Sequence, residues 1–157
     1  MRIAHSELLK ILDYDPLTGI FSRKSGEIAG SMHHKGYVRV CIGKREYLAH
    51  RLAWFYVTGE WPKSQLDHRN TVKSDNRFSN LRLATGFENG RNRPRMKNNT
   101  SGHKGVSWHK RFKKWQACIV TDGKFKYLGR FETKEEAAEA YAVAALKYHG
   151  EFARLDL

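Results

Sequence analysis

QLDHRNTVKSDNRFSNLRLATGFENGRNR, residues 65–93, is the stretch on which the reading of this chain turns. QLDHR and LRLAT have the length and alternation of short strands, and NTVKSDNRFS between them is a polar loop. FENGRNR then starts a helix, weakened by Gly90. The order is strand, loop, strand, helix. It sets Asp67 and His68 at the end of one strand, Asn80 at the start of the next and Asn89 on the helix, so residues distant in sequence are expected to converge. A lone Asp-His pair is more often structural than catalytic, so the pair needs support from its surroundings. Asn70 and Asn76 read as turn residues, because Asn tolerates left-handed backbone and hydrogen-bonds its own loop.

Composition narrows the classes. The 157 residues include 29 Lys and Arg against 16 Asp and Glu, a net charge of +13. The net charge is +9 over residues 1–100 and +4 over 101–157, so both halves are basic. A basic chain with a well-supplied core points to nucleic acid, since each neutralised phosphate releases counterions. No run of about 18 apolar residues is present, and no basic amphipathic helix with a wide apolar face, which argues against a membrane partner. MRIAHSELLKILDYD carries no long apolar stretch and no small-residue cleavage site, so a secretory signal is not expected. Cys41 and Cys118 stand far apart, which fits a disulfide-free protein of the cytoplasm and gives no cysteine-based zinc site.

The residue types in 65–93 suit phosphodiester hydrolysis. The imidazole of His68 titrates where it can take a proton from water near neutrality. Asp67 and the amide oxygen of Asn89 are hard donors suited to one divalent cation, Mg²⁺ or Mn²⁺, which would stabilise the charge on the phosphate and the leaving oxygen. The amide of Asn80 would hold the loop and orient the imidazole. His50, in AHRLAW, reads as a hydrogen-bonded structural residue, and nothing places His33 or His34 in the site.

Upstream, SELLKILDY predicts a short helix and DPLTG a turn. GYVRVCIGKREYLAH predicts a β-hairpin around GK, and RLAWFYVTGEWP a helix stopped by Gly59 and Pro62. With YDPLTGIF, GYVRV, YLAHRLAWFYVTGEWP and LDHRN in this order, and with Asp67, His68, Asn80 and Asn89 at their spacing, the chain resembles the HNH homing endonucleases of phages over roughly residues 10–95. The likeness is to the branch in which Asn replaces the last His. It implies an α+β fold with a ββα-metal nuclease domain, double-stranded DNA as substrate, and an intracellular setting in a phage or its host. It also implies His68 as general base, Asn80 as the residue orienting it, and Asp67 and Asn89 as metal ligands.

RNRPRMKNNTSGHKG, residues 91–105, has no apolar periodicity and reads as a linker. Its Arg91, Arg93, Arg95 and Lys97 are expected along a phosphate backbone. Beyond it, GVSWHK, KWQACIV and KFKYLGRF read as three strands, with TDG as a hairpin turn. TKEEAAEAYAVAALKYHG is a helix opened by a Thr133–Glu136 capping box and stopped at Gly150. Ala138, Ala142 and Ala145 would form its close-packing face, with Tyr141 and Leu146 adding bulk. Residues 103–156 are similar to the plant ethylene-response-factor DNA-binding domain, through GVSWHK, WQACI, YLGRFETKEEAAEAY and ALKYHGEFARL. The resemblance implies a three-stranded antiparallel sheet packed on one helix, with Trp108, Arg111, Lys114, Trp115, Lys126 and Arg130 as candidate DNA contacts. Lys104, Ser107, His109 and Val120 stand where the plant proteins carry Arg, so their target sequence does not carry over.

The expected organisation is a nuclease domain over 1–93, a basic linker over 94–102 and a DNA-binding domain over 103–157, acting as a monomer with dimerisation open. A non-catalytic DNA-binding regulator on the same fold is the rival; an RNA-binding protein is less favoured because no RNP-type aromatic motif is present.

Overall fold

The computed structural model describes residues 2–96 and 98–155. They form two compact units, Met1–Thr85 and Gly86–Leu157. Lys97 lies outside the described residues.

The first unit opens with α1 (His5–Ile11), which passes straight into β1 (Leu12–Asp15). The helix reading of SELLKILDY runs three residues too far. Leu12 and Tyr14 are buried while Asp13 and Asp15 are exposed, a period of two that suits a strand. β1 pairs antiparallel with β2 (Ile20–Arg23), and β3 (Ile28–Ala29) completes that sheet. The DPLTG turn between β1 and β2 is closed by Asp15, whose carboxylate accepts from the Leu17 amide at 2.9 Å and the Thr18 hydroxyl at 2.7 Å.

Gly19 ends that turn at φ 75°, and a Cβ there would lie 2.4 Å from the Arg77 nitrogen and 2.5 Å from the Asn76 carbonyl carbon. Both atoms are backbone, so they cannot yield as a side chain would. Gly19→Ala is therefore expected to cost about 2 kcal/mol or more, measured as a drop in denaturant midpoint. A change within about 0.5 kcal/mol, the range of an ordinary surface substitution, would contradict this packing.

A second sheet follows, of β4 (Ser31–Met32), β5 (Val38–Ile42) and β6 (Arg45–Leu48). β5 and β6 form the hairpin expected around Gly43 and Lys44. α2 (Ala49–Thr58) ends at Gly59, which takes a left-handed conformation. Its Leu52, Ala53 and Phe55 join Leu8, Leu12, Phe21 and Val40 in one core. Each fully buried Leu there contributes roughly 1.5–3 kcal/mol, and Trp61 stacks on Phe55 at 4.4 Å. The unit closes with β7 (Gln65–His68) paired antiparallel to β8 (Leu81–Ala84), a 3-10 turn over Phe78–Asn80 leading into β8.

The second unit contains α3 (Gly86–Arg91), β9 (Val106–His109), β10 (Lys114–Thr121), β11 (Lys124–Phe131) and α4 (Lys134–His149). The strands make an antiparallel sheet in the order β11-β10-β9. Thr133 and Glu136 form the reciprocal capping box at the start of α4. The buried face of α4 is Ala137, Tyr141, Ala144, Ala145 and His149. Leu146 is 58% exposed, against expectation. At 100° per residue it falls off the stripe that runs through positions 137, 141 and 145. Among the described residues, no helix is long and apolar enough to cross a membrane.

Candidate active site

β7 and β8 place the central pair. Their register sets Asp67 opposite Arg82 and His68 opposite Leu81. The Asp67 Oδ2 accepts from the Arg82 Nε at 2.8 Å and lies 2.7 Å from its Nη2. Both side chains are 6% exposed. A carboxylate this deep needs a partner, because burial of an unpaired charge costs several kcal/mol. Arg82 was not singled out from sequence. The available signal was an Arg between two leucines on a strand, opposite an Asp in antiparallel register.

The loop from Arg69 to Arg77 is built on Asn80. Its Oδ1 accepts from the Asn70 amide at 3.0 Å, and its Nδ2 donates to the Asn70 Oδ1 at 3.0 Å and the Asp75 carbonyl at 2.8 Å. The Asn80 carbonyl accepts from the Arg69 amide at 2.9 Å. Asp75 in turn takes the Arg77 guanidinium, which holds its carboxyl down to about 2. These bonds tie the loop to the start of β8; no contact of the Asn80 side chain with the imidazole is among them.

The side chain that reaches the imidazole is Asn76, read from sequence as a turn residue. Its Oδ1 is 3.5 Å from the His68 Nε2. Asn76 is buried, and its carbonyl accepts from the Tyr14 hydroxyl at 2.7 Å. The Asn76 Nδ2 donates to the Ser74 carbonyl at 3.1 Å.

Two aromatic rings also lie beside His68. The His50 ring stands edge-on with centroids 5.0 Å apart, and Tyr37 lies at 6.2 Å. His50 is buried, and its Nδ1 has no hydrogen-bond partner among the described residues. Burial lowers its pKa to about 3, helped by the charges of His68 and Arg51. Burial also lowers the pKa of His68, opposed by the Asn76 bond and the Asp67 charge. Both shifts favour the uncharged ring.

The same shift predicts acid lability. An unfolded His titrates near 6.5, so below that pH the unfolded chain binds a proton that the folded His50 refuses. The stability of the first unit is complete above about pH 6.5 and falls as the pH drops towards 3. The expected loss from His50 between pH 7 and 5 is on the order of 2 kcal/mol, read from denaturant midpoints at the two pH values. His50→Phe should flatten that slope; a wild-type midpoint unchanged at pH 5 would contradict a neutral buried His50.

Asn89 lies on α3, within the second unit. In that unit, Arg91 pairs with Asp122 at 3.0 Å and Arg95 donates to the Gly102 carbonyl at 2.7 Å, while Arg93 is exposed. The sheet register sorts the other candidates by face. Trp108 is paired with Trp115, and Trp115 packs beside Ala117 and Ala137 on the side covered by α4. Trp108 remains 45% exposed. Lys126 also points to the α4 side, its Nζ 2.6 Å from the Tyr148 hydroxyl. On the opposite face stand Lys114, Gln116, Tyr127 and Arg130. Lys114 pairs with Glu132 at 2.6 Å, and the Arg130 guanidinium lies 3.6 Å from the centre of the Phe112 ring. Arg111 is in the exposed turn between β9 and β10, beside Phe112.

Among the described residues no three His, Cys, Asp or Glu side chains gather as a metal cage. The carboxylate of Asp67 is nonetheless an oxygen donor of the kind a hard cation takes.

The chain belongs to the HNH endonuclease family, and an AP2 domain follows the HNH segment. The HNH endonuclease family matches residues 47–91 and the AP2 domain residues 101–151. Protein 3.8 of Escherichia phage T7 is 34% identical over 106 residues, covering 67% of this chain and 87% of that protein. The AP2-like ethylene-responsive transcription factor PLT2 of Arabidopsis thaliana is 36% identical over 92 residues, 57% of this chain but only 15% of that factor. The solved HNH homing endonuclease I-HmuI is similar at 21% identity and a TM-score of 0.44, over 88% of this chain and 85% of that one.

Proposed function

We propose that the chain is a metal-dependent DNA endonuclease, with His68 as general base and the AP2 unit aiding site recognition. The observation that supports this reading is the buried imidazole of His68 on β7, within the segment that matches the HNH endonuclease family. His68 would take a proton from water as the oxygen attacks phosphorus. The bond from phosphorus to the 3′ oxygen then breaks, and that oxygen leaves as the new 3′ end. Asp67 and Asn89 are the proposed ligands of Mg²⁺ or Mn²⁺. What the ion supplies when bound is stabilisation of negative charge on the phosphate and the leaving oxygen. Asn89 enters by its sequence position, Asp67 also by its ordered contact with Arg82.

The partner is double-stranded DNA, met by Arg91, Arg93, Arg95 and Lys97 along the backbone and by the AP2 sheet. Of the sheet candidates, Arg111, Lys114 and Arg130 are the better placed, because they are not directed to the α4 side. Trp108 would act from its exposed edge, and Trp115 and Lys126 through support of the sheet. Functionally, residues 1–93 would cut, 94–102 would follow the backbone and 103–157 would select the site, inside the phage-infected cell. Two weak modules on one tether gain affinity through effective concentration. One candidate site per chain predicts single-strand nicks from a monomer. The test is supercoiled plasmid with the purified chain and Mg²⁺, with and without chelator. Nicked circles that vanish with chelator are expected; intact plasmid across several divalent metals and candidate targets would favour a non-catalytic regulator.

A further inference from the structure

The sheet face turned away from α4 is divided along its strands. Towards the β9–β10 turn it carries the cations Lys114 and Arg130. Towards the β10–β11 turn its side chains are of another kind. There Val120 stands opposite Phe125, and Cys118 opposite Tyr127. Residues directly opposed in an antiparallel pair project to the same side. The pair between them, Ile119 and Lys126, points the other way, Ile119 into the core and Lys126 to Tyr148. Val120 is 43% exposed, Tyr127 55% and Phe125 84%. Side by side they make a contiguous apolar patch, the mark of an interaction surface.

Charge around the patch selects a polyanion as its partner. Residues 86–157 hold 15 Lys and Arg against 8 Asp and Glu, a net charge of +7. Glu135, Glu136 and Glu139 are on α4, across the sheet from the patch. Lys110, Arg111 and Lys113 are exposed in the β9–β10 turn. The groove that Val120 and Phe125 line together with Phe87 is bordered by Arg91 and Arg93. An apolar strip framed by cations suits base edges flanked by phosphates.

The side chains also say which bases. In the major groove, guanine is read by a bidentate Arg or Lys, adenine by Gln or Asn, and the thymine methyl by apolar contact. Lys104, in the chain before β9, donates to the Arg91 and Arg93 carbonyls at 2.5 and 2.9 Å. On the strands at this end Val120, Phe125 and Tyr127 are offered to methyl groups instead. Gln116, next to Cys118 on the same face of β10, is the candidate for adenine. Its Nε2 donates to the Cys118 Sγ at 3.8 Å, and sulfur is a weak acceptor. The amide keeps a second N–H for adenine N7 and its oxygen for the N6 amino group.

We infer that this end of the sheet reads A·T base pairs, with Val120 and Phe125 on thymine methyl groups and Gln116 on adenine. The inference rests on the proposed DNA-binding role of the AP2 unit and names the bases which that role selects.

Thymine and uracil differ by that one methyl group, which gives the test. Fluorescence anisotropy of the full chain, with chelator to prevent cutting, compares alternating poly(dA-dT) and poly(dA-dU) duplexes. Wild type should bind the thymine duplex more tightly, by about 4-fold for each methyl buried. The double variant Val120→Ser with Phe125→Ser, both at exposed positions, should bind the two duplexes equally, at the uracil level. Gln116→Ala should weaken both and keep their ratio. Equal binding of the two duplexes by wild type overturns the inference and leaves DNA binding in place. A double variant that retains the thymine preference overturns it as well. So does tighter binding of single-stranded oligo(dT) than of either duplex, which would make Phe125 and Tyr127 a stacking platform. Absence of salt-sensitive binding to any duplex would overturn the DNA-binding reading itself, and this inference with it.

Discussion

Replacing His68 by alanine is expected to slow DNA cleavage by about 10²–10⁴-fold, the range of a positioned general base, while DNA retardation in a gel stays close to wild type. The two readouts separate because His68 is buried beside Asn76, His50 and Tyr37 and is not an exposed cation available to the DNA backbone. Loss of the ring also leaves a small cavity, so a folding control by denaturant midpoint belongs beside the kinetics. Were binding lost in proportion to cutting, His68 would be a structural residue and the base would have to be sought elsewhere.

Arg82→Ala is expected to destabilise the first unit by about 3–5 kcal/mol, the cost of breaking a buried ion pair by removing one partner. Asp67 has two Arg82 nitrogens within 2.8 Å and almost no solvent. Removing the guanidinium takes away the ion pair that offsets the burial of the carboxylate. Chemical denaturation at pH 7 gives the cost. The double change Asp67→Asn with Arg82→Met should recover much of it, since replacing both partners is far cheaper than stranding one. A loss below about 1 kcal/mol, the level of an exposed pair, would mean that Asp67 and Arg82 are solvated and that Asp67 is not ordered by this contact. In the proposed site Arg82 thus has two tasks: it pays the desolvation of Asp67 and fixes where that carboxylate points.

Local signals were legible in the sequence. The Thr133–Glu136 capping box, the turn at Gly43 and Lys44, and the short strands around Asp67 and Leu83 each depend on a few adjacent residues, and each stands where it was expected. What failed depends on distant partners. SELLKILDY has helix-forming residues throughout, but Leu12 and Tyr14 are taken by pairing with β2 and by the bond to Asn76, so tertiary contact overrides propensity. Asn70, Asn76 and Asn80 look alike on paper. Only the fold shows that Asn80 holds the loop and Asn76 faces the imidazole. The same limit applies to Trp115 and Lys126. Their parity on the strands was readable, but which face α4 would cover was not.

In the proposed reaction water, activated by His68, attacks phosphorus and expels the 3′ oxygen. The direct measurement is the chemistry of the ends at a nick made by the purified chain with Mg²⁺. Nicks that carry a 5′ phosphate and a 3′ hydroxyl, sealed by ligase without further treatment, are the predicted result. Ends with a 3′ phosphate and a 5′ hydroxyl would contradict it.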